Sequence, residues 1–134
     1  MSVKIFYGAD LLEKKHIPAV KHVIQAFKEY KETNNPGTMF GRDAITYRPR
    51  SAFEEDIHHV HLLNKQEFKL KKLYLRDKYS RTSDSCLFYC PGFRHADYYL
   101  ALTIIWQDAH SFMDERHDIL NQYAEEALRF RSIY

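Results

Sequence analysis

At 134 residues, with 45% hydrophobic and 15% aromatic content, the chain fits one globular domain, residues 1–134, that buries about two-thirds of its unfolded surface. Four glycines and four prolines exclude a disordered chain, and a formal charge of +2 is too small to identify nucleic acid as the partner. The longest apolar run, Tyr98 to Trp106, is too short to cross a bilayer, and the Met1–Lys4 start lacks a secretory hydrophobic region, so a cytoplasmic protein with no membrane partner is expected.

Val3 to Tyr7 reads as a short strand, followed by Gly8 and a polar stretch. A helix starts near Pro18, with Val20, Val23, Ile24, Phe27 and Tyr30 at three-and-four spacing, and Lys21, Lys28 and Lys31 are expected to face solvent. Thr33-Asn34-Asn35-Pro36-Gly37 stops it. Phe40-Gly41-Arg42-Asp43-Ala44 reads as a tight turn that presents Arg42 or pairs it with Asp43, and an irregular segment containing Pro49 follows.

Ile57 to Leu63 reads as the next strand. Alternation puts His59 and His61 on one face with Ile57, and His58 on the other with Val60 and Leu62. Two imidazoles pointing the same way can serve proton transfer, ligate a metal with a third ligand, or be structural; His95, His110 and His117 stand at no diagnostic metal spacing.

From Lys65 to Arg81 there are seven positive residues, Lys65, Lys69, Lys71, Lys72, Arg76, Lys78 and Arg81, against the acids Glu67 and Asp77. Tyr74 and Tyr79 are interleaved, so the segment can neutralise phosphates and stack bases, or be a solvated face. Ser83, Asp84 and Ser85 form a polar turn into the strand Cys86 to Cys90, which holds Arg81 and Asp84 at the lip of a sheet. The two cysteines, on one face and roughly 13 Å apart, are too distant for a disulfide and read as packing residues in a reducing compartment.

Pro91-Gly92 turns the chain into a strand from Tyr98 to Trp106, apolar on both faces and so interior to the sheet. One face carries Leu100, Leu102, Ile104 and Trp106, the other Tyr99, Ala101 and Ile105. Gln107-Asp108-Ala109-His110 ends it, and a final helix carries Phe112, Met113, Leu120, Tyr123, Ala124, Ala127 and Leu128 as core. These elements predict an α+β domain with a small, mainly antiparallel four-stranded sheet packed by an N-terminal and a C-terminal helix.

Five blocks stand in order: Phe40-Gly41-Arg42-Asp43-Ala44; His59-Val60-His61-Leu62; Arg81-Thr82-Ser83-Asp84 with Leu87-Phe88-Tyr89-Cys90; Ala109-His110; and Ala124-Glu125 with Phe130-Arg131. This set resembles the YafO-type toxins of bacterial type II toxin–antitoxin modules. The resemblance implies a RelE/ParE-like domain that cuts mRNA on the ribosome without a cofactor and is neutralised by a cognate antitoxin. Cognate antitoxin, ribosome and mRNA are then the partners. The irregular stretch from Phe40 to Asp56 stands where many RelE-like toxins have a second helix.

For metal-independent RNA cleavage the residue chemistry nominates His59, His61 and His110 as acid and base, Arg81 for the phosphorane, and Asp84 to orient Arg81 or a histidine. Arg42 would position a phosphate, and Lys65, Lys69, Lys71, Lys72, Arg76, Lys78 and Tyr79 would grip RNA. Two other activities are compatible with the sequence: a non-catalytic ParE-like toxin that binds a topoisomerase, and a metal-dependent enzyme built on the His59/His61 pair.

Overall fold

A computed structural model describes residues 2–63 and 84–134. Five strands, β1 (Lys4–Tyr7), β2 (Phe40–Ile45), β3 (His58–Leu62), β4 (Cys86–Pro91) and β5 (Tyr98–Ile105), form one sheet in the order β1-β5-β4-β3-β2. β1 runs parallel to β5, and the other three pairings are antiparallel. Among the described residues the helices are α1 (Ala9–Lys14), α2 (Pro18–Thr33), α3 (Arg50–Glu54), α4 (Ala109–Glu115) and α5 (His117–Ile133).

The sheet is therefore mixed and five-stranded, not four-stranded. The added strand is β2, in the segment expected to be a turn and an irregular stretch. Its alternation is hidden by a bulge: Phe40 pairs Leu62 and Asp43 pairs Val60, so Gly41 and Arg42 together oppose His61. A second bulge lies in β5, where Phe88 pairs Thr103 and Tyr89 pairs Ala101, leaving Leu102 without its own partner. It moves Ile104 to the face of Ala101, against strict alternation.

The two faces make two cores. α2 lays Val20, Val23, Ile24, Phe27 and Tyr30 on Phe40, Val60, Leu62, Leu87, Tyr89, Ala101 and Ile104. Phe27, fully buried, touches the rings of Tyr30, Phe40, Tyr89 and Tyr99 at centroid distances from 4.7 to 6.5 Å. On the other face α5 packs Leu120, Ala124, Ala127 and Phe130 against Cys86, Phe88, Cys90, Leu100 and Leu102, with Ala52 and Ile57 at one end. Both cysteines are buried and unbridged.

Pro18 opens α2, and Asn34, at φ 57°, closes it in the left-handed conformation that asparagine tolerates. The Asn35 side chain then accepts from the Gly37 amide at 3.0 Å, completing the break read from the sequence. Three helical details depart from expectation. The polar stretch after Gly8 contains α1, the Pro49 segment starts α3, and the last helix is broken at Arg116 (φ −112°, ψ 51°) into α4 and α5. Lys31 is not solvent-facing: its ammonium is 3.0 Å from Asp43 and lies over the rings of Phe27, Tyr30, Tyr89 and Tyr99.

Candidate functional site

Strand alternation on β3 sends His58 toward α2, where its ring stacks on Tyr89, and sends His59 and His61 to the opposite face. There His59 lies opposite Phe88 and His61 opposite Cys86 on β4. The β2 bulge directs Arg42 to the same face, and Ala44, opposite His59, leaves room beside the ring. Thr46, just past β2, is held by its amide bond to the Ile57 carbonyl at 2.8 Å and puts its hydroxyl 2.8 Å from His59 Nδ1.

The third imidazole comes from α4. Asp108, at φ 57°, turns the chain out of β5. Asp84 then ties the start of α4 to the start of β4: its carbonyl accepts from the Ala109 amide at 3.0 Å, and its Oδ1 accepts from the His110 amide at 3.1 Å. The same oxygen is 2.8 Å from His110 Nδ1. An ionised carboxylate only accepts, so Nδ1 carries the proton and Nε2 is the end of His110 left to exchange protons.

The rings form a file, with His59 and His61 centroids 5.8 Å apart and His61 and His110 5.6 Å apart. The file lines a cleft of about 480 Å³ together with Arg42, Ala44, Thr46, Tyr47, Arg48, Met113 and Asp114. His110 is mostly exposed, whereas His61 is buried with Nδ1 3.7 Å from Cys86 Sγ.

Electrostatics separates these groups. Burial first, then the neighbouring charges of His61 and Arg42, lower the His59 pKa to about 4, so this ring is neutral near pH 7. Hydrogen bonds from His110, side chain then backbone, hold the Asp84 carboxyl below the usual range. Burial pushes the Cys86 and Cys90 thiols up to about 12, which keeps them protonated and poor as nucleophiles or metal ligands. Among the described residues no three His, Cys, Asp or Glu side chains are grouped to hold a metal ion.

The structure thus brings together His59, His61, Asp84, His110 and Arg42 from four separate stretches of sequence. Arg42 and Asp43 do not pair with each other: adjacent in β2, they point to opposite faces, and Asp43 binds Lys31, Tyr30 and Tyr89. Arg81 and the RNA-gripping set Lys65, Lys69, Lys71, Lys72, Arg76, Lys78 and Tyr79 lie outside the described residues. Sequence reasoning missed Thr46, Tyr47 and Arg48; Met113, read as core, packs against the core and also lines the cleft. Arg42, Ala44 and Thr46 share a period of two that would have found Thr46, had β2 been recognised as a strand.

No helix among the described residues is long and apolar enough to cross a membrane. Comparison with curated proteins and with solved structures finds no match for the chain. Comparison with family models finds Toxin YafO, type II toxin-antitoxin system, over residues 28–132, a span that starts within α2 and takes in β2 to β5 and every residue of the cleft. The chain belongs to the YafO family of type II toxins.

Proposed function

We propose that this toxin stops translation by cutting mRNA on the ribosome, as a metal-independent endoribonuclease whose site is the histidine cleft. The observation that carries the reading is the file His59–His61–His110, with His110 fixed by Asp84 and Arg42 on the adjoining strand. Cleavage by the neighbouring 2′-hydroxyl needs a proton acceptor, a proton donor and cations at the phosphate, and this cleft offers each.

In the proposed step His59, neutral near pH 7, accepts the 2′-hydroxyl proton while the 2′-oxygen bonds to phosphorus. The bond from phosphorus to the 5′-oxygen breaks, and that oxygen takes a proton from His110 Nε2. The products are a 2′,3′-cyclic phosphate and a 5′-hydroxyl. A phosphate beside Arg42 offsets one of the charges that lower the His59 pKa, so substrate itself makes this ring a better base. His61, buried between the other two rings, positions them. Arg42 holds the phosphate, Arg81 stabilises the phosphorane, and Lys65, Lys69, Lys71, Lys72, Arg76, Lys78 and Tyr79 grip the RNA.

Membership of the family implies a cognate antitoxin as partner. The test is primer extension on a reporter mRNA in a reconstituted translation system, with ribosomes present or omitted. Cuts that need ribosomes and disappear in His110→Ala are the expected result. Normal translation with no cuts by wild type would overturn the reading and direct attention to a target other than mRNA, such as a topoisomerase.

A further inference from the structure

Tyr47, which lines the cleft, is 70% exposed, and Phe53, on α3, is 48% exposed. Their rings stack, with centroids 5.6 Å apart and planes inclined by 20°. Two large aromatic rings in water are an unfavourable surface unless something covers them. The pair is also held in place on both sides. Before Tyr47, Thr46 is buried and bonded to Ile57 and His59. After it, the Pro49 carbonyl accepts from the Ala52 amide at 3.0 Å as α3 begins, Ala52 is fully buried, and Ser51 bonds to Asn121 on α5.

One face of the Tyr47 ring therefore rests on Phe53, and its exposure leaves the other face in solvent, on the rim of the cavity that holds His59, His61 and His110. Arg42 and Arg48 line the same cavity, both exposed. A rigid ring with one open face, next to guanidinium groups, matches a nucleobase attached to its own phosphate: base on the ring, phosphate on the arginines.

We propose that Tyr47, backed by Phe53, is a base-stacking subsite that docks one unpaired nucleotide of the RNA beside the reacting phosphate. This inference rests on the nuclease reading above. Stacking on an aromatic ring tolerates any base, so the subsite selects single-stranded RNA over paired RNA without reading its sequence.

The test uses ribosomes programmed with a short mRNA in which nucleotides around the cut are made abasic one at a time. Single-turnover cleavage is followed against concentration of wild type, Tyr47→Ala, Tyr47→Leu and Tyr47→Phe. On intact mRNA, Tyr47→Ala and Tyr47→Leu should need about 5- to 150-fold more toxin for half-maximal rate, while Tyr47→Phe stays close to wild type. One abasic position should weaken wild type by a similar factor and weaken Tyr47→Ala no further. Wild-type cleavage accompanied by an unaffected Tyr47→Ala, or by losses that multiply at every abasic position, overturns the subsite and leaves the nuclease reading standing. Absence of cleavage of intact mRNA by wild type removes the nuclease reading, and the subsite falls with it.

Discussion

The two faces of the β2–β3 hairpin carry polar groups used in opposite ways. Toward α2, Asp43 accepts from the Tyr89 hydroxyl at 2.7 Å, the Tyr30 hydroxyl at 2.9 Å and the Lys31 ammonium at 3.0 Å, and Lys31 is enclosed by four rings. Side-chain exposure of the ion pair is only 16% and 11%. Toward α4, His110 and Asp84 are 61% and 52% exposed, and His110 lines the cleft with Arg42, which is itself exposed. A buried charge with its partners in place holds a structure in one arrangement, whereas an open, half-partnered set retains capacity to bind. Arg42 and Asp43, neighbours in sequence, therefore belong to different tasks.

Substitutions should separate the two. The largest effect on stability is expected from Asp43→Ala, which strands the Lys31 charge and removes the acceptor of two tyrosine hydroxyls; urea unfolding should show a loss of about 3–5 kcal/mol. A loss below about 1 kcal/mol would mean that the cluster is solvated, and the contrast would fail. On the other face, His110→Ala should lower cleavage about 10²–10⁴-fold while leaving the urea midpoint where it was. If the midpoint moved as far as in Asp43→Ala, the cleft would be structural too.

Smaller changes sharpen the comparison. Tyr89→Phe deletes one hydrogen bond to a carboxylate and should cost about 1.5–3 kcal/mol with no change in cleavage per folded molecule. Asp84→Asn keeps the shape but frees the His110 tautomer, so the rate should fall, by less than in His110→Ala. An unchanged rate would separate Asp84 from the proton chemistry.

The subtlest expectation concerns pH. The His59 pKa is about 4 in the folded chain against 6.5 as the ordinary value, so the unfolded chain binds more protons between these limits. Its contribution to stability is present above about pH 6.5 and is lost as pH falls toward 4. Urea midpoints measured across this window should therefore fall for wild type and fall less for His59→Gln; equal slopes would show that His59 is not desolvated as described.

Much of this was legible beforehand. The apolar spacing of α2, the breaker at Asn34, the alternation of β3 and the pairing of His59 with His61 on one face each follow from local periodicity, and each is found. Asp84, expected at the lip of β4 and to orient Arg81 or a histidine, lies just before β4 and bonds to His110. β2 was hidden because two residues oppose one at its bulge, which breaks the period of two on which strand reading depends. Ile104 was assigned to the wrong face of β5 for the same reason.

What the sequence by itself determined is the set of chemical groups and the local rules that orient them: which helix face is apolar, where α2 must stop, which histidines share a side. Only the tertiary structure decided which groups meet. Arg42, His59 with His61, and His110 lie on β2, on β3 and on α4, and strand register and one turn bring them to a single cleft, with Asp84, before β4, bonded to His110. Local periodicity carries no information about register between distant strands, because pairing is set by the bulges and by which apolar faces can be buried together.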